Sequence, residues 1–368
     1  MPVRFIHCAD IHLGASFSVL PRHDADARRA HQRETFARIV DLALEQPDRA
    51  DIVFISGDLF DSDRPSPREV SFVRNQLKRL TEEGVKSFII PGNHDPYRSN
   101  SFWCKASLPC TRLFTQTDIE CVEVNGMRIC VCGIAPDLSN PSRNQLATLE
   151  PTLTGDIAVL LHHASWLNFG ADTADFHPFA AENIDASPFN YVALGHYHAF
   201  RRVDSRIPAV YPGATEALGF SKNDLGDRCV VVGTIDERGN VTYKQHKINK
   251  ISHICEEIDC TADTPGSLRK KVEKLVSPEI YLRLTLTGRP SAEVVAASEN
   301  LVEEFSQYVA WLEVESSFNN VGDVPVDNIY LNKFVEKMKA RIEEAPDDQK
   351  PLLNKALEIG VRAFMKNG

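Results

Sequence analysis

The chain has 368 residues, 43% of them apolar and 25% charged, with a formal charge of −10 at neutral pH. Such a length exceeds one average domain and supplies a large core, while the composition excludes collagen-like, low-complexity and broadly disordered classes. The negative balance argues against a protein that wraps nucleic acid through its overall field, although a local basic strip or bound divalent ions could still meet phosphate.

Val3-Arg4-Phe5-Ile6 begins a strand-like run at once, without a basic leader, and no later segment is long and apolar enough to span a bilayer. The expectation is a cytoplasmic protein with no membrane association. Over the first 250 residues short β-branched runs alternate with helical patterns, which predicts a layered α/β fold. One helix is expected over residues 27 to 44, with Phe36, Ile39, Val40, Ala43 and Leu44 on its buried face. A second should start at Ser66-Pro67-Arg68-Glu69, where a Ser cap, a Pro at the first position and a Glu three residues on read as a capping box. Val70, Val73, Leu77 and Leu80 form its stripe, and Gly84 supplies the stop.

Three parts are expected: a body over residues 1 to 250, a small β-α-β-α-β unit over 251 to 320, and a helical tail over 321 to 368. The tail, beyond Pro325, carries two amphipathic stretches, one marked by Phe334, Met338 and Ile342, the other by Leu353, Leu357, Val361 and Phe364. Ala345-Pro346-Asp347-Asp348 separates them. Their apolar faces could dock on a partner or pack on their own body. Nine cysteines include no C-x-x-C, so neither a disulfide framework nor a thiolate zinc site is expected, and Cys130 and Cys132 should share one face of a strand.

Five polar motifs each follow an apolar run, which predicts that they emerge at the carboxyl ends of strands, where open α/β sheets place ligands. Asp10-Ile11-His12 presents two side chains at i and i+2, able to grip one ion. Gly57-Asp58-Leu59-Phe60-Asp61 offers a carboxylate beside a glycine, with two oxygens that can bridge two cations. Gly92-Asn93-His94-Asp95 offers an amide oxygen and an imidazole with a tunable proton. The run from Ile157 to Leu161 delivers His162 and His163, of which alternation allows one to face a site; His162, the first residue past the run, is the one chosen. Gly195-His196-Tyr197-His198 gives two histidines pointing together. Singly, each has an ordinary reading as a turn or a hydrogen-bonded histidine. Together they form a set of carboxylate, amide and imidazole donors suited to Mn²⁺, Fe or Zn²⁺.

In order and complete, D-x-H, G-D-x-x-D, G-N-H-D, H and G-H-x-H make the chain resemble the calcineurin-like metallophosphoesterases over roughly residues 3 to 220. The segments from Phe5 to Gly14 and Gly57 to Asp61, with Tyr211-Pro212-Gly213-Ala214, resemble the SbcD-type DNA double-strand-break repair exonucleases within that superfamily. That resemblance implies a four-layer αββα sandwich, a smaller α+β capping domain that positions DNA, and a C-terminal helical tail. It implies that Asp10, His12, Asp58 and His198 hold one divalent ion and Asp58, Asn93, His162 and His196 a second, Mn²⁺ first among the metals. The reaction implied is in-line hydrolysis of a phosphodiester by a water shared between the ions. His94 would stabilise the transferring phosphoryl group and help protonate the leaving oxygen, and Asp61 would pair with His94. Some archaeal nucleases carry histidine where Asp61 stands, so the presentation of DNA is not carried over. An SbcC-type ATPase on the C-terminal helices, DNA as substrate and a homodimer are the implied partners. Arg22, Arg64, Arg98, Arg201 and Arg202 lie near motif loops and are candidate phosphate contacts. The competing readings are a small-molecule phosphodiesterase or phosphatase using the same centre, and a non-catalytic module, which the intact ligands and His94 disfavour.

Overall fold

A computed structural model of the chain describes residues 1–18, 20–151, 153, 157–167, 176–318, 329–346 and 349–366. It divides into two compact units, Met1–His253 and Ile254–Gly368.

The first unit contains strands β1 (Val3–Cys8), β2 (Ile52–Ser56), β3 (Lys86–Ile90), β4 (Arg112–Leu113), β5 (Asp118–Val124) and β6 (Met127–Ile134). They are followed by β7 (Ile157–His163), β8 (Tyr191–Gly195), β9 (Arg201–Arg202), β10 (Ala209–Tyr211), β11 (Cys229–Ile235) and β12 (Val241–Lys247). Its helices are α1 (Arg22–Leu44), α2 (Pro67–Glu82) and α3 (Ala181–Asp185). The strands form two six-stranded sheets, ordered β12-β11-β1-β2-β3-β4 and β5-β6-β7-β8-β10-β9. Strands β1 to β4 run parallel in the first, and β6, β7, β8 and β10 run parallel in the second.

Alternation along the strands explains how the sheets stack. Val3, Phe5, Ile52, Phe54, Phe88 and Ile90 of the first sheet meet Ile129, Val131, Ile157, Val159, Leu161 and Tyr191 of the second in one shared core. The opposite parity, Ile6, Cys8, Val53, Ile55 and Ile89, packs on Phe36, Ile39 and Val40 of α1 and on Val73, Leu77 and Leu80 of α2. Cys132, Ile134, Leu160, Val192 and Leu194 face outward from the second sheet against Ala181 and Ile184 of α3. Helix, sheet, sheet and helix thus lie in succession, and most central strands are buried on both faces.

Helix α1 begins five residues before its expected start. The buried face of its N-terminal half is largely polar: Arg28 donates to the Ala217 carbonyl at 2.6 Å, Gln32 to the His12 carbonyl at 2.7 Å, and Thr35 to Glu216 at 2.5 Å. A hydrophobic stripe could not mark those turns. At α2 the Ser66 hydroxyl accepts from the Glu69 amide at 3.3 Å, as expected of a cap. The Glu69 side chain does not close the box and pairs instead with Arg33 at 2.7 Å. Gly84 ends this segment at φ +77°, a left-handed conformation that glycine adopts without strain.

One cysteine expectation is corrected. Cys121 and Cys130 form a disulfide across the β5–β6 hairpin, where they are directly opposed partners with Cα atoms 4.1 Å apart. Cross-strand register creates the pair, which sequence spacing alone does not signal.

The second unit has β13 (Ser252–Asp259), α4 (Pro265–Glu273), β14 (Ile280–Thr287), α5 (Ala292–Glu299), α6 (Leu301–Phe305) and β15 (Trp311–Ser316). Its sheet is ordered β13-β14-β15, with β14 and β15 parallel. The second helix of this unit is split at Asn300. Helices α7 (Ile329–Glu344) and α8 (Lys350–Lys366) pair through Leu331, Val335, Leu357 and Val361, with Phe334, Met338 and Ile342 packed alongside. Tyr330, Leu352 and Ile359 remain exposed. Pro325, Asp347, Asp348 and the side chain of Phe364 lie outside the described residues.

Candidate metal centre

Strands β1, β2 and β3 end at Cys8, Ser56 and Ile90, and β7 and β8 end at His163 and Gly195. The five motif segments leave from these ends, as expected for ligand-bearing loops of α/β sheets. Backbone bonds tie the first two together: the Asp10 amide donates to the Gly57 carbonyl at 3.1 Å, and the Ile11 and His12 amides to the Asp58 carbonyl at 2.9 and 3.0 Å. Asp10, His12, Asp58 and His196 all carry positive φ, at 51°, 49°, 49° and 110°. Non-glycine residues hold such conformations at an energetic cost, and strain of this kind concentrates at functional sites.

The side chains converge. Asp10, His12 and His198 form one group of donors, His12, Asp58 and His94 a second, and Asp10, Asp58 and His163 a third, with donor atoms in each group within 4.8 Å of one another. His163 Nε2 lies 3.3 Å from Asp58 Oδ2 and 2.9 Å from Asn93 Oδ1, and His196 Nδ1 lies 3.1 Å from the same Asn93 oxygen. The His196 amide donates to both Asp10 oxygens at 3.0 and 3.1 Å, and the His94 amide donates to Asp58 Oδ1 at 2.8 Å. Asp10, His12, Asp58 and His163 are buried, whereas the His94 side chain is 44% exposed at the rim.

The choice of His162 is corrected to His163. Strand alternation puts His163 in register with Ile157, Val159 and Leu161 on the inner face, and His162 with Ala158 and Leu160 on the outer face near Phe179. Both faces of β7 are buried, so hydrophobicity cannot distinguish them. The inner ring is closely packed by glycines: a Cβ at Gly57 or Gly195 would run into His163. Asp61 lies within ion-pair reach of His94, as expected, and also of His12. Its Oδ1 accepts a hydrogen bond from His12 Nδ1 at 3.0 Å and stands 3.7 Å from His94 Nδ1.

Two carboxylates to which the sequence assigns no role support the motif loops. Asp95 receives the Gly92 amide at 2.7 Å and the Phe60 amide at 3.0 Å, joining the second and third motif loops. Asp224 accepts from His198 Nδ1 at 3.3 Å, and no strand-end motif contains it.

Without bound ions, burial raises Asp10 above the usual carboxylate range despite His163, His198 and His12 nearby. Asp58 moves the other way: burial would raise it, but His163 and His12 hold it far below that range. Burial would lower His163 and His12, yet Asp58 and Asp10 lift His163 to about 9, and Asp61 with Asp58 lifts His12. His196 is lowered to about 3 by burial and by neighbouring His163.

The donor set fits divalent ions. His163 Nδ1 donates to the Ser56 carbonyl at 2.9 Å, so in the neutral ring Nε2 turns a lone pair toward the oxygens of Asp58 and Asn93. In the metal-free chain a proton on Nε2 satisfies these oxygens, and a divalent ion held by the neutral ring would take its place. His12 Nε2 is buried without a hydrogen-bond partner, and it faces Asp58 Oδ2 at 3.7 Å.

The candidate arginines differ in setting. Arg22, Arg98 and Arg202 are exposed, and Arg201 lies over the Tyr197 ring with its centre 5.6 Å from the centroid. Arg64 lines a cleft of about 750 Å³ with Gly14, Arg29, Arg33, Arg68 and Glu69. Gly14 follows His12 by two residues and Arg64 follows Asp61 by three, so this basic cleft adjoins the centre along the chain. Arg33 is committed to Glu69 at 2.7 Å and Arg29 to Asp26 at 2.6 Å.

Residues 3–200 match the model of the calcineurin-like phosphoesterase family. The chain belongs to the calcineurin-like phosphoesterases. This phosphoesterase is 24% identical over 331 residues, 84% of its own length and 78% of the relative's, to YhaO of Bacillus subtilis, an uncharacterized metallophosphoesterase. It is 26% identical over 216 residues to the DNA double-strand break repair protein Mre11 of Methanocaldococcus jannaschii, covering 58% of this chain and 57% of that one. A protein of the same name from Methanococcus maripaludis is 24% identical over 370 residues, covering 93% and 86% of the two chains. No described helix of this phosphoesterase is long and apolar enough to cross a membrane.

Proposed function

We propose that this phosphoesterase is a two-metal phosphodiesterase whose substrate is DNA. The observation that carries the two-metal part is the overlap of the donor groups on buried Asp58 and Asp10, with His163 and Asn93 on one side and His12 and His198 on the other. Asp10, His12, Asp58 and His198 would hold one ion, and Asp58, Asn93, His163 and His196 the other, with Asp58 as the bridge. Divalent ions, Mn²⁺ among those suited to oxygen and imidazole donors, would activate water and neutralise phosphate charge there.

The chain's own groups divide the remaining work. Asp61, through His12 Nδ1, fixes the ring so that Nε2 faces inward. His94 sits at the open rim, edge-on to His12 with ring centroids 4.7 Å apart, where its imidazole can meet a phosphoryl oxygen or give a proton to the departing sugar oxygen. Asp58 holds the His94 backbone amide, which keeps that residue beside the bridging carboxylate.

Support for DNA comes from the Mre11 relatives and from the arginine cleft adjoining the motif loops. The apolar side chains left exposed on α7 and α8 support docking of an SbcC-type ATPase. Incubation with Mn²⁺ and either end-labelled duplex DNA or an aryl phosphodiester tests the reading, with His94→Ala as control. Cleavage of DNA that fails in the variant is expected. Cleavage of the aryl ester alone would replace DNA by a small-molecule substrate, and cleavage of neither by metal-loaded protein would refute the enzyme.

A further inference from the structure

We infer that Asp224 is a positioning residue for His198, holding its ring so that Nε2 is presented to the metal centre; this rests on the two-metal reading above. Asp224 lies 26 residues beyond His198, on the turn between β10 and β11, and is buried. His198 Nδ1 donates to its Oδ1 at 3.3 Å, while the Ser221 hydroxyl donates to Oδ2 at 2.7 Å. Both carboxylate oxygens are therefore engaged, and the carboxylate cannot swing away from the imidazole without losing the Ser221 bond.

The turn that carries Asp224 is itself fixed from below. The Asp224 amide donates to the Ser221 carbonyl at 2.8 Å. Buried Arg228 donates through Nη1 to the Asn223 carbonyl at 2.9 Å and through Nε to the Ala214 carbonyl at 3.0 Å. Ala214 in turn donates its amide to the His198 carbonyl at 3.0 Å. One guanidinium thus links the turn bearing the carboxylate with the segment hydrogen-bonded to the histidine backbone, so the ring and its partner are held from both sides.

The same arrangement recurs on the other histidine of that donor group. His12 Nδ1 donates to Asp61 Oδ1 at 3.0 Å, and its Nε2 is left without a hydrogen-bond partner. His163, by contrast, is anchored through Nδ1 by the Ser56 carbonyl at 2.9 Å. A carboxylate behind a ligating imidazole fixes tautomer and orientation and strengthens the ring as a donor, and its removal typically weakens metal binding about 10- to 100-fold.

The test uses the full chain, stripped of metal, with Mn²⁺ binding followed by calorimetry in the absence of any substrate. Asp224→Ala should bind at least one ion about 10- to 100-fold more weakly. Asp224→Asn, which keeps an acceptor oxygen and loses the charge, should fall between it and the wild type. Thermal unfolding of the metal-free proteins separates positioning from folding: wild-type stability with weakened binding supports the inference. Binding unchanged in Asp224→Ala overturns it. If Asp224→Ala does not fold, wild-type affinity in Asp224→Asn overturns it and weakened affinity supports it. Failure of the wild-type chain to bind Mn²⁺ would instead refute the metal centre, and this inference with it.

Discussion

His163 Nε2 lies 2.9 Å from Asn93 Oδ1, bringing the end of β7 in the second sheet against the loop that follows β3 in the first. The contact joins the two sheets at the level of Asp58, whose Oδ2 is 3.3 Å from the same nitrogen. His163→Ala should therefore lower metal affinity by more than the roughly 10- to 100-fold that follows loss of an outer partner. His162→Phe, at the neighbouring position on the opposite face, should leave metal content unchanged. Elemental analysis of the two purified variants decides: the reverse pattern would restore the choice made from the sequence.

The contrast between these neighbours shows what a sequence can carry. The five motifs were legible because each sits where an apolar strand gives way to polar residues, and α2 was legible because Ser66 and Pro67 mark its first turn locally. His163 was not, since β7 is buried between the inner core and α3 and its pattern has no polar face. The N-terminal half of α1 shows no apolar stripe for a related reason: Arg28 and Gln32 are buried by hydrogen bonding to distant segments. Asp224 and the Cys121–Cys130 bond depend on tertiary folding and strand register, neither of which leaves a local signature.

Asp61 offers a sharper test than its motif suggested. Because it hydrogen-bonds His12 at 3.0 Å and stands 3.7 Å from His94, its loss should reach the metal as well as the rim histidine. Asp61→Ala is expected to weaken Mn²⁺ binding about 10- to 100-fold and to lower turnover even at saturating metal. Titrating activity against Mn²⁺ separates the two effects. Full activity recovered at high metal would confine Asp61 to His12, and unchanged metal affinity with lost turnover would confine it to His94.

Protonation of His163 should make the metal-free chain pH-dependent. Burial opposes the charge, but Asp58 and Asp10 lift the imidazole to about 9, above an unfolded value of about 6.5. A raised folded-state value means that the protonated ring stabilises the fold. That contribution is fully present below pH about 6.5 and is lost as pH rises through about 9. At roughly 1.4 kcal/mol per unit the loss is on the order of a few kcal/mol. Ligation requires the neutral ring, so Mn²⁺ binding should release a proton and tighten as pH rises across this window. Calorimetric unfolding in chelator should show the decline in the wild type, and His163→Asn should make it shallower, leaving the part due to His12; a flat wild-type curve would refute the coupling.

The arginine cleft distinguishes a polymeric substrate from a small one. Arg33 and Arg29 are committed to Glu69 and Asp26 at 2.7 and 2.6 Å, while among the described residues Arg64 and Arg68 make no side-chain hydrogen bond or ion pair. If DNA phosphates occupy the cleft, Arg64→Gln with Arg68→Gln should remove about two phosphate contacts. The slope of log affinity against log salt should then become shallower by roughly 1 to 2. An aryl phosphodiester, too small to span cleft and metal centre together, should retain its kcat/KM. Fluorescence anisotropy with a labelled duplex in chelator measures the first quantity without catalysis, and steady-state hydrolysis measures the second. An unchanged salt slope would exclude the cleft from the DNA path, whereas an equal fall on both substrates would mean that the substitutions had disturbed the centre itself.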